Sequence, residues 1–130
     1  MTRKNTRRSV KKHIDLRRSK KGTQGIIMNV GIKSLSGILP EYHTEGSAGL
    51  DVRAYIEGEI CIKRGKISMV HTGLFFDIPK GFEIQVRARS GLASKHGIGL
   101  ANGVGTIDSD YTGELIIPLI NLGEEDYVVK

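Results

Sequence analysis

The chain has 130 residues and a formal net charge of +6, a length that suits a single domain. None of its apolar stretches reaches the roughly 20 residues of a membrane-spanning helix, and its first residues do not resemble a cleavable signal peptide. Its single cysteine, Cys61, excludes an internal disulfide and is typical of a reducing compartment. Cys61 lies in an alternating segment, so we expect a small buried side chain there.

The positive charge is concentrated at the N-terminus. Residues 1–22 carry ten Lys or Arg and one acid, whereas residues 23–130 carry ten Lys or Arg and thirteen acids. We expect residues 1–25 to form a disordered basic extension and residues 26–130 to form the folded domain. The extension could also be an electrostatic arm, a nuclear address or an organellar presequence. The domain lacks a cationic face with interleaved aromatics, so only the tail is a candidate for nucleic-acid binding. We expect a cytoplasmic protein, or a nuclear or organellar one if the tail is an address.

The rest of the chain follows the pattern of short strands separated by glycine. Short apolar-containing segments bounded by turn residues predict strands at residues 28–35, 50–54, 59–63, 66–72, 74–78 and 82–89. A further strand, of a different pattern, is predicted at residues 114–122. The turn signals Arg64-Gly65 and Pro79-Lys80-Gly81 predict two hairpins. No tryptophan is present, so the core should consist of Ile, Leu and Val. Together these features predict an all-β barrel or sandwich of short antiparallel strands.

The strand at 114–122 is apolar on both faces, with Leu115, Ile117 and Leu119 alternating with Ile116, Pro118 and Ile120. A strand of this kind needs cover on both sides. Because one small domain has one core, we expect a second subunit on the other face. Pro118 has no N–H for a ladder bond, which favours an edge, bulge or interface position.

Three segments carry groups that could do chemistry. Arg89-Ser90-Gly91 follows a strand, and Ser90 could cap a helical turn whose free N–H groups bind a phosphate. Asn102 lies at the tip of a predicted hairpin and offers both a donor and an acceptor to a base. Asp108 could orient or deprotonate a water molecule, and Tyr111 could stack on a sugar or base. Each segment could equally be an ordinary turn.

Asp51 is a candidate magnesium residue, acting through bound water, because Mg²⁺ takes few protein ligands. A surface pair with Arg53 is the simpler interpretation. The histidines lack metal-ligand spacing, so we expect no zinc site.

Three blocks in this order resemble the first three motifs of trimeric dUTP diphosphatases (dUTPases): AGLDVRA at 48–54, RSGLA at 89–93 and NGVGTIDSDYTGEL at 102–115. The resemblance covers about residues 28–130. It implies a distorted jelly-roll or β-clip-like barrel, a homotrimer with active sites between subunits, and Mg²⁺-assisted hydrolysis of dUTP to dUMP and pyrophosphate.

The same resemblance implies a role for each site residue. Asp108 would position the water that attacks the α-phosphorus, and Asp51 would contact water bound to Mg²⁺. Tyr111 would pack beneath the deoxyribose, while Asn102 and the backbone of residues 103–107 would bind uracil. The implied substrate-binding residues are Arg89, Ser90, Gly91, Asn102, Gly105, Thr106, Ile107 and Tyr111.

The chain departs from the family pattern after Lys130, where a fourth motif of the type Gly-x-Arg-x-Ala-Gln and a glycine-rich fifth motif are expected. We expect a truncated chain with weak nucleotide affinity and exposed apolar surface. A catalytically incomplete nucleotide-binding or regulatory protein is therefore the alternative function. A deoxycytidine triphosphate deaminase of the same fold is disfavoured, because Pro118 stands where its catalytic glutamate belongs and the nearby acid is Glu114.

Overall fold

The computed structural model describes residues 28–130 and the backbone of Val10–Asp15. In chain order the elements are β1 (Val10–Asp15), β2 (Asn29–Ser34), β3 (Ile60–Ile62), β4 (Ile67–Asp77), β5 (Ile84–Arg87), α1 (Ser90–His96), β6 (Ile98–Leu100), β7 (Val104–Ile107), β8 (Glu114–Asn121) and β9 (Tyr127–Val129). The all-β prediction is confirmed, and the paired strands are antiparallel. Within the described ranges the sheets stay open and do not close into a barrel. No helix in the described part of the chain is long and apolar enough to span a membrane.

The strands form one large sheet and two small ones. The large sheet has the order β1-β2-β4-β8-β6, and the two-stranded sheets are β3-β9 and β5-β7. Residues of β5 and β7 pack against the inner face of the large sheet, which gives a two-layer arrangement around one core. Among the described residues, the buried hydrophobic side chains are all Val, Ile or Leu, as expected: Val30, Ile32, Ile62, Val70, Leu74, Ile78, Ile98 and Leu115.

β4 is one continuous strand where the sequence predicted two. Its pairing with β8 shifts register between His71 and Phe75, and Gly73 at this bulge has a φ of 65°. A Cβ at Gly73 would lie 2.8 Å from the ring of Tyr55. The glycine therefore bends the strand without ending it.

The two predicted turns form, but the predicted hairpins do not. The turn at Arg64-Gly65 is closed by the Lys66 N–H on the Lys63 carbonyl at 3.0 Å, yet β3 pairs with β9 and not with β4. Likewise, β5 pairs with β7 rather than with the end of β4. In β3 it is Ile62 that faces the core, so the prediction of a buried Cys61 is wrong and its side chain is exposed.

Residues 50–54 do not form the predicted strand. An isolated bridge between Asp51 and Glu41 is the one β contact found there in the described chain. Alternation alone does not make a strand when no neighbouring backbone completes a ladder.

β8 lies between β4 and β6, so Pro118 is not in an edge strand. Its carbonyl accepts the Ala101 N–H at 2.8 Å, at the point where β6 has just ended. Because the N–H and C=O of a strand residue point to the same side, the donor that proline lacks would also have faced this end of β6. The ladder therefore tolerates proline here.

The outward-facing side of β4 and β8 is apolar and open. Ile67 and Met69 are 54% and 55% exposed, and they pair across the ladder with Ile120 and Pro118. We call this surface the outer apolar face, and it consists of Ile67, Met69, Ile116, Pro118 and Ile120. The sequence prediction that β8 has a second apolar side is thus confirmed for this chain.

One strand, β1, lies within the predicted N-terminal extension. β1 pairs with β2 from Val10↔Ser34 to Asp15↔Asn29, which satisfies the backbone groups along the edge of β2. The structure thus has a strand at Val10–Asp15, within the range 1–25 for which disorder is expected. Residues 1–9 and 16–27 lie outside the described residues, and for them the expectation stays a prediction.

Candidate active site

A cavity of about 110 Å³ opens where β7 passes into β8. It is lined by Thr106, Ile107, Asp108, Tyr111, Glu114, Leu115 and Ile116. Four of the predicted site residues are therefore brought together: two at the end of β7 and two on the turn that follows.

A β-turn places both Asp108 and Tyr111 in the lining of the cavity. The Tyr111 N–H donates to the Asp108 carbonyl at 3.1 Å, which is the bond between the first and fourth residues of a β-turn. Asp is favoured at the first position of such turns. The carboxylate of Asp108 is exposed and therefore accessible to water and ligand.

The ring of Tyr111 is held across this turn. Its hydroxyl donates to the Glu114 carbonyl at 2.7 Å. A Cβ on Gly113 would lie 2.6 Å from the Tyr111 hydroxyl oxygen, so the ring position depends on glycine at 113. Tyr111 remains 45% exposed, which leaves one side of its ring available for a ligand.

Glu114 is a cavity residue that the sequence analysis did not include in the site. Its Oε2 lies 2.9 Å from Nδ1 of His71, and its Oε1 accepts the Gly73 N–H at 2.8 Å. Burial by itself raises the pKa of this carboxyl, but the bonds from His71 and Gly73 outweigh it and the pKa is lowered below its ordinary value. No sequence signal identifies this contact, because His71 and Gly73 are some forty residues away.

Asp51 and Arg89, from the first and second motifs, form an ion pair. Oδ2 of Asp51 lies 3.5 Å from Nη2 of Arg89. The predicted pairing of Asp51 with Arg53 is thus replaced by a pairing between two candidate site residues. Neither residue lines the cavity beside Asp108.

Ser90 and Gly91 begin α1, but Ser90 is not the cap. Arg89 holds the N-cap position with extended backbone and without a side-chain capping bond. Ser90 therefore keeps its hydroxyl free of that role, and the N-terminal N–H groups of the turn remain exposed. Ser90 and Gly91 also lie outside the cavity.

Asn102 does not lie at the tip of a hairpin. β6 pairs with β8 whereas β7 pairs with β5, so the turn at Asn102-Gly103 carries the chain from one sheet to another. Gly105 packs opposite Val86, and a Cβ there would lie 3.6 Å from Nδ2 of Asn102. Asn102 and Gly105 are therefore close to each other, but they do not line the Asp108 cavity.

In the described part of the chain, no group of three or more His, Cys, Asp or Glu side chains could hold a metal ion. A cation at Asp51 would therefore need ligands from substrate and water. This arrangement suits Mg²⁺, which keeps several waters and often takes one or two protein carboxylates together with substrate phosphates.

Comparison with known proteins gives a consistent result. The family model for dUTPase matches residues 36–130. A deoxyuridine 5'-triphosphate nucleotidohydrolase of Finegoldia magna is 54% identical over 92 residues, covering 71% of this chain and 64% of the relative. A protein of the same name from Rickettsia felis is 54% identical over 107 residues, covering 80% of this chain and 72% of the relative. The chain thus spans 64% of the length of the Finegoldia relative.

Solved structures that resemble this chain are also dUTPases. The dUTPase from Streptococcus mutans superposes with a TM-score of 0.64 at 28% identity, covering 71% of this chain and 75% of that one. A mutant dUTPase from phage phi11 of S. aureus, described for its coordination of a structural Mg(II) ion, has a TM-score of 0.63 at 25% identity, covering 72% and 60%.

Proposed function

Because this chain belongs to the dUTPase family, we propose that it hydrolyses dUTP to dUMP and pyrophosphate. The observation that carries the proposal is the shared turn and cavity of Asp108 and Tyr111. This arrangement supports two neighbouring roles. The Asp108 carboxylate would act on water, and the Tyr111 ring beside it would contact the nucleoside.

Asp108 is the proposed general base. Its carboxylate holds a water molecule and accepts its proton as the water oxygen attacks the α-phosphorus. The bond from the α-phosphorus to its bridging oxygen breaks, and pyrophosphate leaves. The exposed position of Asp108 in the cavity wall supports this role.

Tyr111 is the proposed sugar-contacting residue. Its hydroxyl donates to the Glu114 carbonyl, which supports a fixed ring that packs beneath the deoxyribose and leaves no room for a 2′-hydroxyl. Asn102 and the backbone of residues 103–107 bind the uracil edge, and a thymine methyl group would clash there. The position of Thr106 and Ile107 in the cavity wall supports this assignment.

Arg89, Ser90 and Gly91 are the proposed phosphate-binding residues. A guanidinium matches phosphate oxygens in a planar fork, and exposed N–H groups at the start of α1 add donors. Asp51 would hold Mg²⁺ through bound water, and the ion would neutralise phosphate charge. The Asp51–Arg89 contact of 3.5 Å supports this placement, because the two groups would act on the same triphosphate.

We further propose that the working site forms between subunits of a homotrimer. In one chain the phosphate-binding residues lie outside the Asp108 cavity. Ile116 belongs both to that cavity and to the outer apolar face, so a neighbour covering the face would reach the edge of the site. A second subunit would thus complete the site and bury the open apolar surface.

The test is pyrophosphate release from dUTP with Mg²⁺, measured for the full chain and for Asp108→Asn. We expect the variant to lose roughly 100-fold or more of kcat, as for removal of a general base. Asp110→Asn is the matched control, because it removes the same charge from the same turn outside the cavity lining, and it should keep its activity. Equal turnover by Asp108→Asn and the unchanged chain contradicts the proposal.

Absence of turnover in the unchanged chain and in both variants also contradicts the proposed dUTP hydrolysis. Retained binding of a non-hydrolysable dUTP analogue would then favour the alternative of a catalytically incomplete nucleotide-binding protein.

A further inference from the structure

Glu114 connects two strands at the wall of the Asp108 cavity. Both of its carboxylate oxygens are engaged by β4, one by His71 and the other by the Gly73 N–H. Its main-chain carbonyl accepts the Tyr111 hydroxyl at 2.7 Å. One residue therefore holds the β4 bulge with its side chain and the cavity tyrosine with its backbone.

The bulge in β4 explains why Gly73 bonds to Glu114. Where β4 shifts register, the Gly73 N–H turns out of the ladder with β8, and a buried donor without a partner costs about 1–3 kcal/mol. Glu114 supplies the acceptor. Gly73 itself is buried, and Tyr55 leaves no room for a side chain at this position, so the donor has a defined location.

The Glu114 carboxylate is directed toward β4. The Glu114 side chain is 19% exposed, and both oxygens are bonded to β4 rather than left free in the cavity. A free carboxylate in this wall would repel an anionic ligand. A carboxylate whose two oxygens are bonded to His71 and Gly73 is instead held against β4.

We propose that Glu114 is a positioning residue, which orients Tyr111 by fixing the start of β8 to the bulge of β4. The inference rests on the proposed dUTP hydrolysis for its kinetic consequence. Thr72 supports the same junction, because its hydroxyl donates to the Leu115 carbonyl at 2.6 Å. With the Glu114 side chain removed, the start of β8 loses its bonds to His71 and Gly73. The main-chain carbonyl that accepts the Tyr111 hydroxyl remains, but it is no longer fixed to β4.

The kinetic test compares Glu114→Ala with Glu114→Gln. We expect Glu114→Ala to lose roughly 10- to 100-fold in kcat/KM for dUTP, the scale of a small misplacement of a binding group. The preference for dUTP over UTP should fall as well, because the ring no longer excludes the 2′-hydroxyl. Glu114→Gln should restore both, since its amide can accept from Gly73 and donate to His71. Glu124→Ala is the matched control, because Glu124 is an exposed surface acid, and it should match the unchanged chain.

A second measurement does not depend on turnover. The chain contains four tyrosines, and incorporation of 3-fluorotyrosine gives each a ¹⁹F resonance that Tyr111→Phe assigns to position 111. We expect Glu114→Ala to shift or broaden the Tyr111 resonance, and Glu114→Gln to leave it in place. His71→Ala removes one of the two anchors, so it should move the resonance in the same direction by less. This variant decides the question if Glu114→Ala does not fold.

The two proposals fail in different ways. An inactive unchanged chain overturns dUTP hydrolysis, while the ¹⁹F measurement still decides the role of Glu114. A Tyr111 resonance that is unmoved in every folded variant overturns the positioning role. So does a Glu114→Ala variant that keeps its preference for dUTP over UTP.

Discussion

At the scale of single residues, Asn121 is a fully buried polar side chain that joins three parts of the fold. It is 0% exposed. Its Nδ2 donates to the carbonyls of Ile62 and Glu125 at 2.9 and 2.8 Å, and its Oδ1 accepts the Gly123 N–H at 2.9 Å. The side chain thus joins β3, the end of β8 and the loop before β9, and every polar atom it carries has a partner.

We predict that Asn121→Ala lowers the free energy of unfolding by about 2 kcal/mol, because one buried and two partly buried backbone groups lose their partners. Urea unfolding followed by circular dichroism measures the change. Asn29→Ala, at an exposed position of β2, is the control and should change stability by less than about 0.5 kcal/mol. Equal effects of the two substitutions would show that the buried bonds contribute little.

At the scale of elements, the corner between α1 and β6 meets the loop after β8 backbone to backbone. Gly97 ends α1 with a φ of 67°, and its carbonyl accepts the Leu122 N–H at 2.9 Å. A Cβ on Gly123 would collide with the carbonyl oxygen of His96. Since main chain cannot move aside as a flexible side chain can, this contact requires glycine.

Gly123→Ala should therefore destabilise the protein by roughly 1–3 kcal/mol, the usual cost of overpacking. Gly91→Ala is the matched control, because a Cβ in the first turn of α1 meets nothing within 4 Å. That substitution should leave stability unchanged or raise it by up to about 1 kcal/mol, since alanine restricts the unfolded chain and favours the helix. Thermal unfolding of both variants measures the contrast, and a destabilised Gly91→Ala beside a neutral Gly123→Ala would contradict it.

Pairing between elements was where the sequence predictions failed most clearly. The turns at Gly65 and Gly81 form because glycine and proline act locally on the chain. The partners of β3 and β5, in contrast, are β9 and β7, which lie far along the sequence. Local turn chemistry sets where a strand ends, but it does not set which edge that strand joins.

At the scale of the whole molecule, the outer apolar face is the surface on which we expect another subunit to pack. Monomeric proteins expose scattered apolar residues, whereas a contiguous set on one sheet is typical of an interface. Here Ile67 and Met69 are alternate residues of β4, each more than half exposed, and they lie opposite Ile120 and Pro118. The face also borders the Asp108 cavity through Ile116.

We predict that Met69→Lys lowers the oligomeric state, because a charge in the centre of an apolar interface loses its hydration without a partner. Size-exclusion chromatography with light scattering measures the mass, and dUTP turnover should fall with it if the site is shared. Val128→Lys is the matched control, as it adds the same charge at another exposed apolar residue, on β9. An unchanged mass for Met69→Lys would contradict the assembly of subunits through this face.

The candidate site was predictable to the extent that its residues are neighbours in sequence. Thr106, Ile107, Asp108 and Tyr111 belong to one continuous block, and they line one cavity. Glu114 was present in the same block, but its contacts with His71 and Gly73 depend on the β4–β8 ladder. The prediction of a helical turn at Ser90 is confirmed, but the prediction that Ser90 is its N-cap is wrong, since Arg89 holds that position.

The sequence by itself determined the family, the all-β class, the aliphatic core and the turns, because motif order, alternation and glycine or proline geometry are properties of nearby residues. Only the tertiary structure decided which strands pair, that Cys61 faces outward, that residues 50–54 stay outside the sheets, and that Glu114 lies against the β4 bulge. The physical reason is that backbone pairing is chemically the same at every strand edge. The choice of partner therefore depends on how the whole chain buries its apolar faces, which no local stretch encodes.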